Sequence, residues 1–237
     1  MRLTDMKSLR SLAAILVLAL TFAALPTMAQ RTAGTPNQGE VFKDTSMLKP
    51  PPGVKIAILE WQDLTCPACA HAFPIVHQAI THYQIPIYEK DFLLGGEHAV
   101  FGDKEAAIWA RYLQDKVSPD VADQYRGAVF AAQTGITSVD DMQSFTRRFF
   151  QSHGLKMPFV PDPTGELIKK IMADKEQGDK LGLHYTPCII VATQHEWVHV
   201  TDTSLLYLTI EQLEAEAGAG AGAGGTKGAS GTKKAAH

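Results

Sequence analysis

The stretch Trp61-Gln62-Asp63-Leu64-Thr65-Cys66-Pro67-Ala68-Cys69-Ala70 decides how the rest of the chain is read. It follows an apolar run, Val54 to Leu59, and precedes a segment with helical apolar spacing. Two cysteines two residues apart at a helix start can close a small disulfide ring and reopen it. The first of them faces the helix N-terminus, where unpaired backbone N–H groups favour a thiolate over a thiol. A thiolate is the species that attacks disulfides. The spacing therefore predicts redox chemistry at Cys66 and Cys69.

The ends of the chain fix the setting. Arg2, Lys7 and Arg10 precede an uncharged apolar run from Leu12 to Leu25 and then Pro26-Thr27-Met28-Ala29. That order predicts a secretory signal at residues 1–29, cleaved after Ala29, with an uncleaved membrane anchor as the rival. The apolar run is short for a bilayer span. No cysteine lies near the cleavage site, which argues against a lipoprotein. Export to the periplasm or beyond places the chain where disulfides persist. Its three cysteines then resolve into one pair and one odd thiol, Cys188. A pair two residues apart closes too small a loop to staple a fold, so its use is functional. A net charge of −3 with mixed signs excludes a nucleic-acid surface.

Residues 30–53 carry Thr, Gly, Asn and Gln and end in Pro50-Pro51-Pro52-Gly53, which reads as a flexible leader with a stiff stop. Val54 to Glu60 reads as a buried central strand, Cys66 to Tyr83 as a helix, and Ile85 to Phe92 as a parallel second strand. Pro67 suits the first turn of that helix, and Pro74 removes one backbone bond inside it. From 95 to 182 the chain reads as helices throughout, over 103–113, 119–133, 138–153 and 164–181. Ser138 and Thr164 look like capped starts, and Gly135, Gly154 and Gly182 like ends. Tyr185 to Val191 is a strand introduced by Thr186-Pro187, Trp197 to Val200 its hairpin partner, and Thr203 to Glu216 a last amphipathic helix. The Ala/Gly/Lys tail over 218–237 cannot bury enough apolar surface to fold.

This order resembles the DsbA branch of the thioredoxin superfamily: an α/β thioredoxin fold, 54–94 and 183–217, interrupted by a helical insertion at 95–182. Cys66-Pro67-Ala68-Cys69 matches the redox motif, and Glu60, six residues earlier, the buried acid on that family's central strand. Gly182 with Thr186-Pro187 matches its cis-proline signature. The resemblance implies a thiol–disulfide oxidoreductase acting on protein substrates, without a cofactor. It works as a monomer, with a membrane redox partner as a further possibility. Cys66 is then the attacking thiolate and Cys69 the buried resolving thiol. Glu60, its pKa raised by burial, is the proton relay. Thr186 and Pro187, with Pro67 and Ala68, border the substrate chain. The motif lacks the histidine that strongly oxidising members place before the second cysteine, which predicts a less oxidising couple.

Cys188 departs from the family pattern. It reads as a small buried hydrophobe, or as a third sulfur making, with Cys66, Cys69 and His184, a Cys3His set for zinc or copper in a metal carrier. A chaperone module with idle cysteines is a third reading. Asp63 reads as solvated, and the remaining histidines, His98 among them, as surface or packing residues.

Overall fold

Seven consecutive residues, Ile56–Gln62, form a strand (β2) that is buried along its whole length. A strand covered on both faces reads as a continuous apolar run, as here. The computed structural model describes residues 30–33, 42–94 and 103–223. The signal segment with its cleavage point at Ala29, His98, and the tail beyond 223 lie outside the described residues.

β2 pairs parallel with β3 (Ile87–Asp91) and antiparallel with β4 (Cys188–Thr193). β4 forms the expected hairpin with β5 (Trp197–Val200). An additional strand, β1 (Gln30–Ala33), runs parallel to β5 and completes the order β1-β5-β4-β2-β3. The helix α1 (Pro67–Tyr83) connects β2 to β3 and runs through Pro74. Four helices follow: α2 (Asp103–Lys116), α3 (Pro119–Ala132), α4 (Val139–Ser152) and α5 (Glu166–Leu181). A last helix, α6 (Leu206–Ala223), returns to the sheet.

Alternation along β2 divides the core. Ile56 and Ile58 pack with Ala72, Val76 and Ala79 of α1 and with Leu206, Ile210 and Leu213 of α6. Leu59 and Trp61 face the other way, with Phe92, Leu181, Cys188 and Ile190. A third core fills the helical block around Trp109, Leu113, Tyr125, Val129, Met142 and Phe150, and it takes in Leu64 and Cys69. Trp109, Tyr125, Phe130, Phe149 and Phe150 of the insertion are packing residues, whereas Phe159 is exposed. The block sits close on α1 because α3 offers Gly127 there: a Cβ at that position would stand 2.8 Å from the Phe73 ring.

Three expectations are corrected. The 30–53 segment is no free leader over its described part. Leu48 is fully buried, Phe42 packs on Trp197 and His199, and the Gln194 amide donates to the carbonyls of Pro50, Pro51 and Val54. Helix α6 runs on through Ala223 rather than ending near 216. Ser138 caps α4 as expected, but Asp162 does for α5 what Thr164 was expected to do, accepting from the Leu167 and Ile168 N–H groups. No described helix is long and apolar enough to cross a membrane.

Candidate active site

Strand β2 and helix α1 are joined by a tight turn that Asp63 builds from inside. Its Oδ1 accepts from the Thr65 N–H and hydroxyl, both at 2.7 Å, and its Oδ2 from the Leu94 N–H at 2.8 Å. Asp63 is therefore buried, not solvated: three donors replace the water its carboxylate loses. Its carbonyl accepts from the Cys66 N–H at 3.0 Å, which sets Cys66 as the N-cap of α1 and Pro67 at the first helical position. The Gln133 amide, from the end of α3, donates to the carbonyls of Leu64 (2.8 Å) and Cys66 (3.1 Å). The sequence carries no local signal for Gln133, since the contact spans 67 residues.

The two cysteines of the motif end up in opposite surroundings. Cys66 is half-buried, with Pro67 and Ala68 exposed beside it, while Cys69 is fully buried. The hydrogen bond from the Cys69 thiol, more than any other influence, draws the Cys66 thiol down to about 6, against a desolvation that opposes it. The backbone N–H groups of Cys69 and Ala68 at the helix start add to it. Burial, and then the neighbouring Cys66, push the Cys69 thiol far above the ordinary thiol range.

Thr186 and Pro187 lie across the helix start, brought there by the loop into β4. The Cys66 Sγ donates to the Thr186 carbonyl at 3.3 Å, and the Thr186–Pro187 peptide is cis. Together with Ala68 and His71 of α1 and Thr201 to Thr203 after β5, they line a cleft of about 530 Å³. In its wall the Tyr185 hydroxyl meets the His199 Nε2 at 3.0 Å. His199 is buried, and desolvation pulls its imidazole down to about 4.

Glu60 sits on the α1 face of β2, between Ile58 and Gln62 and opposite Ile189 of β4, at 1% exposure. Neither carboxyl oxygen has a hydrogen-bond partner. Desolvation, followed by the carboxylate of Glu89 at the paired position of β3, raises its pKa to about 8; Arg126 pulls the other way. Sequence reasoning did not find what surrounds it. Arg126 is 1% exposed and faces Glu89 at 3.4 Å and Asp91 at 3.6 Å. Arg111 joins Asp91 to Asp174. An arginine within a helical apolar pattern reads as a solvated face, so its burial is legible only in three dimensions.

Cys188 completes no metal set. Its Cα pairs with Trp61, on the face of the sheet turned away from α1, and His184 is exposed. Side chains alternate across a sheet, so the odd thiol and the motif lie on opposite sides of it. The Cys3His reading is therefore corrected: among the described residues only His77, Glu89 and Asp123 stand close enough to share an ion.

A mixed sheet, a Cys-x-x-Cys helix at its centre, a helical block between β3 and β4, and a cis-proline loop facing the first cysteine specify one architecture. The fold is DsbA-like. Solved structures agree: Wolbachia pipientis alpha-DsbA1 superposes with a TM-score of 0.56 at 16% identity, covering 75% of this chain and 98% of that one. The thiol-disulfide exchange protein alpha-DsbA2 from the same organism gives 0.55 at 15% identity, covering 70% and 85%. Proteus mirabilis ScsC gives 0.54 at 16% identity, covering 71% and 72%. No protein-family model and no curated sequence matches the chain. Its DsbA-like character is thus carried by the fold rather than by sequence identity.

Proposed function

We propose that the chain is an exported thiol–disulfide oxidoreductase that exchanges disulfides with protein substrates through Cys66 and Cys69. The observation that carries this reading is the asymmetry of the pair: one half-exposed thiol held down to about 6, one buried thiol pushed far up. Near neutral pH Cys66 is then largely thiolate. Its sulfur attacks a substrate disulfide, forming a Cys66–substrate bond as the electron pair leaves on the second substrate sulfur. The Cys69 sulfur, giving up its proton, next attacks Cys66, closing the ring disulfide and releasing the substrate thiolate. The substrate gains two electrons and the protein loses two. In the opposite direction a substrate thiolate opens the ring and Cys69 takes a proton back.

Glu60 serves as the acid and base for Cys69. It lies on the sheet face covered by α1, beneath the helix that carries both cysteines. The cleft beside Cys66 takes the substrate chain, with Thr186 offering backbone hydrogen bonds to an extended segment and Pro187 and Ala68 lining its edge. The signal-like start supports an oxidising, exported setting, in which a monomer would exchange electrons with a membrane redox partner.

The strongest oxidants of this kind hold the attacking thiol near about 3.5. With Cys66 near 6, the couple is less oxidising than theirs. A glutathione redox titration of the mature protein, read by thiol alkylation, tests the whole reading. Cys66 and Cys69 should titrate together as a reversible two-electron couple, lost in Cys66→Ser, with Cys188 unlabelled until unfolding. Failure to form the Cys66–Cys69 disulfide at any glutathione ratio would refute it.

A further inference from the structure

A proton that reaches Glu60 must still reach water, and Glu60 is 1% exposed with no hydrogen-bond partner on either oxygen. Polar side chains leave it in one direction. Glu89 occupies the paired position on β3, and its Oε1 stands 4.0 Å from the His77 Nε2. The other ring nitrogen of His77, Nδ1, lies 3.2 Å from an Asp123 carboxylate oxygen. The Asp123 side chain is 39% exposed and opens to solvent. The imidazole is held in this orientation by stacking on Phe73, ring centroids 3.8 Å apart.

We propose that His77 is a proton relay for the thiol exchange, passing protons between buried Glu60 and solvent by way of Glu89 and Asp123. The inference rests on the oxidoreductase reading above. A neutral imidazole donates at one ring nitrogen and accepts at the other, so a ring set between two carboxylates takes a proton on one side and releases one on the other. The His77 Nε2 is buried without a hydrogen-bond partner, leaving it available for transfer. The 4.0 Å step is one side-chain rotation, or one bridging water, from a hydrogen bond.

The charges facing the path come from three elements. Glu89 of β3 and Asp123 and Arg126 of α3 face Glu60; Glu89 and Asp123 face His77. The Arg126 guanidinium stands 3.4 Å from the Glu89 carboxylate. Asp91, with Arg126 and Arg111, closes the inner end. His77, Glu89 and Asp123 also stand close enough to share a cation. But the Glu89 carboxylate already faces the buried Arg126 guanidinium and accepts from Gln62 at 2.9 Å. A metal ion there would sit against an arginine.

The step balances without a further reagent. When the ring closes, the Cys69 proton passes to Glu60 and out through Glu89, His77 and Asp123, while the electron pair leaves on the substrate sulfur. When the ring opens, a proton returns by the same route.

The test compares wild type with His77→Phe, which keeps the stack on Phe73, and His77→Ala, with folding checked by circular dichroism. Reduction of a glutathionylated peptide is followed in single turnovers from pH 5 to 9, and Cys66 alkylation is measured in parallel. The expected result is resolution slowed at least about tenfold, Cys66 alkylation unchanged, and the rate of His77→Ala restored by added imidazole. An unchanged rate, or a slow rate that imidazole fails to restore in a folded variant, overturns the relay. Wild type unable to turn over the peptide would instead sink the oxidoreductase reading, and the relay with it.

Discussion

Replacing Glu60 by glutamine probes the buried acid through stability rather than activity. A carboxyl raised from 4.5 to about 8 binds its proton more tightly folded than unfolded. Its stabilising effect is therefore complete below about pH 4.5, is lost as the pH climbs to about 8, and changes no further above that. At about 1.4 kcal/mol for each pH unit, the loss across that window is at most about 5 kcal/mol. Relaxation around a charged Glu60, and the pull of Arg126, bring the expectation to about 2–4 kcal/mol. Glutamine has the shape of the protonated acid and does not titrate. Whatever its amide costs is a constant offset, and groups common to both proteins cancel in the difference. Urea unfolding of wild type and Glu60→Gln at half-unit steps from pH 4 to 9 gives that difference directly. It should move in favour of the variant from about pH 4.5 to 8 and level off on both sides. A difference that stays flat across the window, or moves in favour of the wild type with rising pH, would refute a buried and displaced carboxyl.

The Cys66 thiol should show an iodoacetamide reactivity midpoint near pH 6, and Cys69→Ala should raise that midpoint, because the hydrogen bond from Cys69 is the largest influence lowering it. An unmoved midpoint would assign the effect to Thr186 and the helix terminus instead. Gly178→Ala should cost about 1–3 kcal/mol in urea unfolding, since a Cβ there would stand 2.5 Å from the Phe92 ring and 3.2 Å from Trp61. Full wild-type stability in that variant would mean that α5 and the sheet are less closely packed than described. His199 must charge on unfolding, so its contribution is present above pH 6.5 and lost as pH falls towards about 4. His199→Phe should flatten that acid limb and, by releasing the Tyr185 hydroxyl, raise KM for peptide more than it lowers kcat. Unchanged acid sensitivity would count against a buried neutral imidazole.

Much of this architecture was legible residue by residue. The β-rich run into Cys66, helical spacing after it and Thr186-Pro187 before a second apolar strand are local patterns. Local patterns report period and capping directly. The errors fell where a long-range contact overrides a local tendency. Phe42 to Gly53 is polar and proline-rich, yet Gln194 and Trp197 hold it. Asp63 looks like a loop acid, yet Leu94 gives it a donor from 31 residues away.

The sequence alone determined that two cysteines stand at a helix start behind a buried strand, since that follows from spacing and hydrophobic period. Tertiary structure alone decided that Cys188 lies across the sheet from both. It alone showed that Glu89, Arg126 and Asp123 are the charges that surround Glu60. Burial and charge neighbourhood are set by which elements pack together, and those contacts join residues far apart in the chain.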